Sequence, residues 1–560
     1  MNFKKAISKH TLSSMWSSTR WLWNVWQGHR IQATLNTIIG ILNVAAGLTF
    51  VWATKLTIDI ATHTDARLTL NEALLLLSAI LAVEIALGMC SRWIRATLGV
   101  KAQNSMQART FGHLLHSTWR GLQSYHSGDM LNRIEKDVTT VVSYLTESLP
   151  ALITTVVQFA GAFLFLFLMD RTLALIIVFL LPIFLVISRL YVSRMKALTH
   201  QVRSTESRIQ ALVQESIQHN LVIKTLERCA TVLANLQTLQ GQLCGEVRHK
   251  TRYSLISSAV MNIGFSAGYL FTFGWGVHNL SDGLITYGAL IAFVQLVGQI
   301  QGPARNLTRF IPIFISAYTS AERLIELERI PPEDTATNTK NLKGGVGIRL
   351  RDVTFSYAPT ERKIISNLKF DFPPGSRTAI LGETGAGKTT LVRMLLALVN
   401  PTHGSITLYD ATHALPVTTS TRNLFAYVPQ GNTLLSGTIR SNLLLGNPKA
   451  TPQQMEQALC MAQADFVFSL PEGLDTPCGE QGGGLSEGQA QRISIARTLL
   501  RDAPILLFDE ATSALDNDTE AKVIEQIVRH FSDRTLIFVT HRPCVLEYCT
   551  QHLHMERGKT

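Results

Sequence analysis

The sequence predicts a membrane α-helical half, with six transmembrane helices and long cytosolic extensions, joined to an α/β domain built on a phosphate-binding loop. Three observations carry this expectation. Six segments are apolar and nearly free of charge, and the connections between them alternate between short and long. Beyond residue 345, short strand-like runs alternate with helical patterns around a glycine-rich loop.

Of 560 residues, 46% are hydrophobic and only 16% charged, too few charges for an ordinary soluble protein. A hydrocarbon core about 30 Å thick takes roughly 20 apolar helical residues. Residues 31–54, 148–169, 172–188, 253–281 and 283–303 contain no Asp, Glu, Lys or Arg, and 73–91 contain only Glu84. They predict spans near 31–56, 70–98, 142–169, 172–192, 253–279 and 283–305, within a membrane domain covering 1–330. The fourth is short and contains Pro182, so a buried core helix also fits it.

Charge in the connections sets the orientation. Residues 55–72, 170–171 and 279–283 carry Arg67 and Arg171, with Lys55 at a helix end. Residues 99–141 and 193–253 carry five and nine Lys or Arg. Both termini and both long connections are therefore expected in the cytosol. The net charge of +11 is assigned to these loops, so no nucleic-acid partner is expected. From Arg208, RIQALVQESIQHNLVIKTLERCATVLANLQTL keeps helical spacing with no Pro or Gly until Gly241. The spans thus continue as helices, about 20 extra residues reaching about 30 Å. Lys55 and Glu84 are the charges nearest the spans and are expected to face a cavity, a partner or an interface. Asn262, Gln295, Gln299 and Gln301 could line a polar path, although helix–helix hydrogen bonding is the commoner use of such residues. The seven cysteines include no CxxC pair, so reduced thiols are expected, with neither a disulfide framework nor a zinc site.

Trp16, Trp21, Trp23 and Trp26 lie in an N-terminus that has no acid before Asp59. They predict an interfacial helix near 12–28, with membrane lipids around the indole rings. A basic, serine-bearing start also fits an organelle transit peptide. At Pro331 the stretch PPEDTATNTKNLKGGVG reads as a linker over 331–345. In 346–560, IRLRDVTFSY, RTAIL, ILLFD and TLIFVT alternate with helical patterns, the rhythm of a largely parallel sheet.

RTAIL leads into GETGAGKTT and then LVRMLLALV: strand, glycine loop, helix. Gly382, Gly387, Lys388 and Thr389 have the phosphate-loop spacing in that required context. Backbone N–H groups across Gly382, Glu383, Thr384, Gly385, Ala386 and Gly387 would close around a β-phosphate. The helix start through Thr390 adds partial positive charge. Lys388 would reach the β- and γ-phosphates, and the Thr389 hydroxyl would ligate Mg²⁺. ILLFDE ends a strand in two carboxylates. Asp509 would hold Mg²⁺ directly or through water, and Glu510 would orient and deprotonate the attacking water.

A second glycine-rich stretch, GGGLSEGQ from Gly482 to Gln489, opens the helix AQRISIARTLL. Ser486 and Gln489 have capping-box spacing. Three glycines are costly to order, and with free N–H groups and the helix dipole they suit a phosphate. Glu487 falls at the first helical position, where it is expected to steady the helix and weakly oppose an incoming γ-phosphate.

Together these motifs resemble, in order, the ATPase domain of ABC transporters. Tyr357 in FSY resembles the aromatic that stacks on adenine. Gln430 in YVPQ resembles the glutamine that contacts Mg²⁺ and the water. LSEGQAQR is similar to the LSGGQ signature, Ser513–Asp516 to the D-loop, and His541 to the switch histidine. Gly479–Gly482 resembles the stretch before the signature that contacts the membrane domain. Ser124–Val138 resembles the segment around the first coupling helix, with Gly128-Asp129 marking the return toward the membrane. A second turn is expected near Gln214–Asn220. The resemblance covers nearly the whole chain and is that of a half-size exporter. One departure is the C-terminus, nineteen residues beyond His541, shorter than most relatives, which leaves a longer helix's dimer contact open.

The resemblance implies catalytic roles for Lys388, Gln430, Glu510 and His541, with ATP and Mg²⁺ as cofactors. Metal contacts fall on Thr389, Gln430 and Asp509. In this family the P-loop and the signature lie at opposite ends of one domain. Ser486, Gly488, Gln489 and Asp516 would therefore meet the nucleotide held by a second copy. The complete hydrolytic set favours a homodimer over a heterodimer. The expected activity is ATP-driven export of a lipid, peptide or hydrophobic small molecule by alternating access. The expected location is the bacterial cytoplasmic membrane, with the ATPase domain in the cytosol. An ATP-gated channel or regulator on the same frame is the alternative, which an intact Glu510 disfavours.

Overall fold

The computed structural model describes residues 19–24, 26–64, 68–334, 342, 344–357, 362–479 and 483–556; for 178–193 only the helical backbone is described. These residues form two compact units. One runs to Gly112 and resumes over Ser127–Glu328; the other joins His113–His126 to the chain from Arg329 onward.

The first unit is helical. Its elements are α1 (Arg30–Ala61), α2 (Leu70–Leu115, whose last turn enters the second unit), α4 (Ser127–Met169), α5 (Arg171–Gln218), α6 (Asn220–Thr225), α7 (Cys229–Ser281) and α8 (Tyr287–Glu328). The five-residue α3 (Trp119–Gln123) lies in the second unit. Helix α7 has 53 residues, about 80 Å at 1.5 Å per residue, far more than a bilayer requires. Four helices, α1, α2, α4 and α7, are long and apolar enough to cross a membrane among the described residues. The other two expected spans fall within α5 and α8, which are helical throughout but are not among those four. The start of α4 at Ser127 agrees with the return expected at Gly128-Asp129. The second turn runs over His219–Arg228 and opens at the end of the expected Gln214–Asn220 interval: nothing in ALVQESIQ breaks a helix, so Gln214–Gln218 remain in α5.

The N-terminal tryptophans divide. Trp26 is buried with Leu22 among Leu98, Met106, Val138 and Leu324, and Trp21 donates its indole N–H to Glu328 at 2.6 Å. Trp23 is 61% exposed under the Arg30 guanidinium. Two of the expected interfacial indoles thus pack on protein; Trp16 and residues 12–18 lie outside the described residues. Of the cavity, partner or interface expected for Lys55, the structure shows a partner. The Lys55 ammonium pairs with Asp59, one turn away, at 3.1 Å, and Asp59 also accepts the Gly288 N–H at 3.1 Å. A Cβ at Gly288 would collide with the Lys55 carbonyl, so glycine permits this approach of α8 to α1. Gln301 donates to the Phe265 carbonyl on α7 at 3.2 Å, the helix–helix use of such a residue.

In the second unit a four-stranded antiparallel sheet is ordered β2-β1-β4-β5: β1 (Gly347–Phe355), β2 (Ile365–Phe372), β4 (His403–Tyr409) and β5 (Ala414–Pro416). A five-stranded parallel sheet is ordered β11-β3-β10-β9-β6. Its strands are β3 (Arg377–Gly382), β6 (Phe425–Val428), β9 (Ile505–Asp509), β10 (Thr535–Val539) and β11 (Gln551–Met555); β7 (Gly437–Thr438) and β8 (Pro477–Cys478) pair antiparallel on their own.

Side chains alternate across a strand, so a sheet buried on both faces feeds two cores. Ile505, Leu507, Ile537 and Val539 join a core with α9 (Lys388–Leu395) and the antiparallel sheet. Leu506, Phe508, Leu536 and Phe538 join the opposite core, with the helices α10 (Ile439–Gly446), α11 (Pro452–Met461) and α12 (Glu487–Leu499). The two glycine-loop helices, α9 and α12, therefore pack on opposite faces of one sheet.

Candidate functional site: a nucleotide site at the edge of the parallel sheet

Four neighbouring strands of the parallel sheet end at one edge. The residues after β6, β9, β10 and β3 are Gln430, Glu510, His541 and the loop Glu383–Lys388. Ligands bind at such carboxyl edges because the strand-to-helix loops collect there. Gly387 (φ 97°) caps α9, where a Cβ would crowd Ile364 at 3.0 Å. Gly382 (φ 150°) lies where a Cβ would strike the Met555 carbonyl. Both positions therefore require glycine. Glu383, Thr384, Gly385 and Thr389 are exposed while Ala386 and Thr390 are buried, so the loop presents its outer edge to solvent. The Lys388 ammonium donates to the carbonyls of Gly382 and Glu383.

Asp509 is buried at the end of β9 and accepts the Tyr427 hydroxyl at 3.4 Å. Burial, opposed by Tyr427 and reinforced by Glu510, raises its pKa above the ordinary carboxylate value. Burial likewise pushes the Tyr427 phenol up, with Asp509 adding to the effect. Glu510 has φ 48°, donates its N–H to Val539 at 3.0 Å, and accepts the Gln430 amide at 2.8 Å. The structure thus brings Gln430 and Glu510 together. His541 is exposed beyond β10, and among the described residues no hydrogen bond joins it to either.

Tyr357 is fixed from two sides. Its ring meets Phe355 edge-on at 4.9 Å, and its hydroxyl accepts Arg393 at 2.8 Å and lies 3.4 Å from the Thr390 hydroxyl. The signature shows the expected capping box: Ser486 Oγ accepts the Gln489 N–H at 3.2 Å, and Gln489 Oε1 accepts the Ser486 N–H at 2.9 Å. Glu487 is exposed as the first residue of α12. Gly488 lies where a Cβ would come within 2.9 Å of the Ala514 carbonyl, so the signature helix rests on the D-loop. Asp516 caps α13 (Asn517–His530) through the Thr519 N–H at 3.0 Å. Glu480, Gln481 and Gly482 lie outside the described residues.

Sequence reasoning missed the residues that hold these loops. Buried Gln491 donates to Ser513 Oγ at 3.1 Å and accepts the Ala514 N–H at 3.0 Å, pinning the D-loop to α12. Arg542, next to His541, donates to the Ser513 and Leu515 carbonyls and to the wholly buried Glu520. Glu520 also accepts the Thr512 hydroxyl and the Cys544 thiol. Only the position of Gln491 within LSEGQAQR, and of Arg542 beside His541, hinted at either.

Among the described residues no hydrogen bond or ion pair joins Gly382–Thr390 to Ser486–Gln489. Their helices, α9 and α12, pack on opposite faces of the sheet.

Family models for the ABC transporter transmembrane region and the ABC transporter match residues 34–304 and 365–513. An ATP-dependent lipid A-core flippase of Bordetella avium is 29% identical over 493 residues, covering 86% of this chain and 82% of that protein. A Staphylococcus aureus protein, named as a candidate multidrug export ATP-binding/permease protein, is 28% identical over 549 residues, covering 95% and 93%. The solved structure of a bacterial Atm1-family ABC exporter with ATP bound shares the fold: TM-score 0.76, 23% identity, 96% and 94% covered. Two family models in the expected order, on a sheet whose edge gathers the expected loops, make this chain a member of the ABC transporter family, a half-size exporter whose ATPase is coupled to transport.

Proposed function

We propose that two copies of this exporter sandwich two ATP molecules, each between the Gly382–Thr390 loop of one copy and the Ser486–Gln489 helix start of the other. The observation that carries this reading is the placement of α9 and α12 on opposite faces of one parallel sheet. Each loop is half of a phosphate site and needs the other half from outside the chain. N–H groups and a helix N-terminus on both sides of a triphosphate favour closure while the γ-phosphate is present.

Within each site Glu510 takes the proton of the attacking water, and Gln430, which already holds its carboxylate, keeps it aimed. Lys388 neutralises phosphate charge, and His541 meets the γ-phosphate from the end of β10. The oxygen set of Thr389, Asp509 and Gln430 fits Mg²⁺, a hard cation, and Asp509 is a buried carboxylate that a cation would stabilise. Mg²⁺ there would offset charge on the β- and γ-phosphates. Closing and opening of the pair would drive alternating access in a bacterial cytoplasmic membrane.

The substrate class proposed is lipid or hydrophobic small molecule, from the names of the two relatives and the apolar spans. The test is ATPase activity of the purified chain in lipid nanodiscs, with and without lipid A-type lipids and hydrophobic drugs. Stimulation that vanishes in Glu510→Gln is the expected result. Turnover indistinguishable from that of Glu510→Gln under all conditions would sink the pump.

A further inference from the structure

The chain between α2 and α4, His113–His126, belongs to the compact unit of the ATPase domain. It is tied to the start of the linker by three contacts. The Thr118 N–H donates to Pro331 at 2.9 Å, the Glu333 N–H to His116 at 2.7 Å, and His113 Nε2 lies 3.1 Å from the Ile330 carbonyl. Gly121 is needed there, because a Cβ would strike the Ile330 side chain. The linker in turn grips the end of α9. Arg422 binds both Glu333 carboxylate oxygens, at 2.6 and 2.8 Å, and the Leu396 and Ala397 carbonyls at 2.8 Å.

One side chain of that segment reaches further. The Trp119 ring packs against the core that holds α9, with the Arg393 guanidinium 4.5 Å from its centroid. Arg393 is in the last turn of α9, and the same guanidinium donates to the Tyr357 hydroxyl at 2.8 Å. A planar guanidinium can stack on a ring and direct an N–H along its edge at once; an ammonium cannot. Trp119 and Tyr357 are 238 positions apart, yet a single side chain spans the gap between them.

We propose that Arg393 is a positioning residue that ties the segment between α2 and α4 to the adenine platform, so that nucleotide affinity follows the seating of Trp119. This rests on the reading of Tyr357 as the aromatic that stacks on the base. When Trp119 is seated, Arg393 is held against it and the Tyr357 ring is locked between Arg393 and Phe355. When Trp119 leaves, Arg393 loses its face contact and Tyr357 gains rotational freedom that base stacking must then remove. The effect falls on ground-state binding, because neither residue touches the reacting atoms.

The test is steady-state ATPase kinetics of the full chain in nanodiscs, with thermal unfolding alongside. Arg393→Lys and Trp119→Ala should each raise KM for ATP about three- to tenfold, the factor a single net hydrogen bond is worth, with kcat within about twofold. The double variant should be no worse than the worse single one, and Trp119→Phe should recover most of the affinity. Tyr357→Ala is the control. If it raises KM while Arg393→Lys and Trp119→Ala do not, the link is wrong and the adenine reading stands. If Tyr357→Ala leaves KM unchanged, the adenine reading fails and the proposal fails with it. Multiplying effects in the double variant would make the two residues independent and also overturn it. A fall in kcat that tracks a lower unfolding temperature would reduce Arg393 to a structural role.

Discussion

Gln430 Nε2 donates to Glu510 Oε2 at 2.8 Å, across 80 positions of sequence. The pair joins the loop after β6 to the residue after β9, and Glu510 adopts φ 48°, a conformation that costs a non-glycine residue energy. The fold keeps this strain at the carboxylate proposed to activate the attacking water. Glu510→Gln should lower phosphate release by about 100-fold or more, the range of general-base catalysis, while equilibrium ATP binding is retained. Loss of binding and turnover together would make Glu510 a structural residue.

Among the described residues Arg542 is the one guanidinium on Glu520, whose carboxylate has no solvent exposure. Arg542→Ala should lower stability by about 3 kcal/mol, the scale for stranding a buried charge. A second substitution, Glu520→Gln, should recover part of that loss. Denaturant titration of the detergent-solubilised chain checks both. A single variant within error of wild type would show that Glu520 is held by Thr512 and Cys544 alone.

Acid should loosen the D-loop. The Thr519 backbone N–H lowers the Asp516 pKa, so the native state favours the ionised form. The stability this brings is present above the unfolded value of about 3.9 and is lost as pH falls through the lower folded value. Asp516→Asn keeps an acceptor for Thr519 without the charge. It should flatten the acid limb of a Tm-against-pH curve below about pH 4, where wild type falls.

Glu487 is the exposed first residue of α12, where the helix dipole already favours a carboxylate. Glu487→Gly should tighten ATP-dependent dimerisation, measured with the hydrolysis-deficient Glu510→Gln chain, by about two- to fivefold. An unchanged dimerisation midpoint would leave Glu487 a helix-start preference.

What the sequence made legible was local. Ser486 and Gln489 are three residues apart, and their reciprocal bonds follow from spacing alone. The P-loop glycines, the strand ending in Asp509 and the parallel sheet are similarly written in short windows. The holding residues are not. Arg393 meets Tyr357 and Trp119, and Gln491 meets Ser513, only after strands and helices have been stacked. A polar residue within a helix gives no sign of which distant loop it will satisfy. Lys55 shows how far a cost argument reaches: the cost of a charge near hydrocarbon calls for a cavity, a partner or an interface, and only the structure shows that the partner is Asp59, one helical turn away. The second turn comes at the end of its expected interval because helical periodicity continues smoothly through Gln218 and the break falls at His219.

A nucleotide site shared by two chains is the central claim, and a mixed dimer tests it most directly. Lys388→Ala spoils one loop and Ser486→Arg the other, so each homodimer should lose ATPase activity. Differently tagged chains co-purified as a mixed dimer would pair the intact Lys388 loop of one copy with the intact Ser486 helix of the other. That dimer should recover up to about half the wild-type rate, one of two equivalent sites. Mixed dimers as inactive as both parents would contradict the shared site.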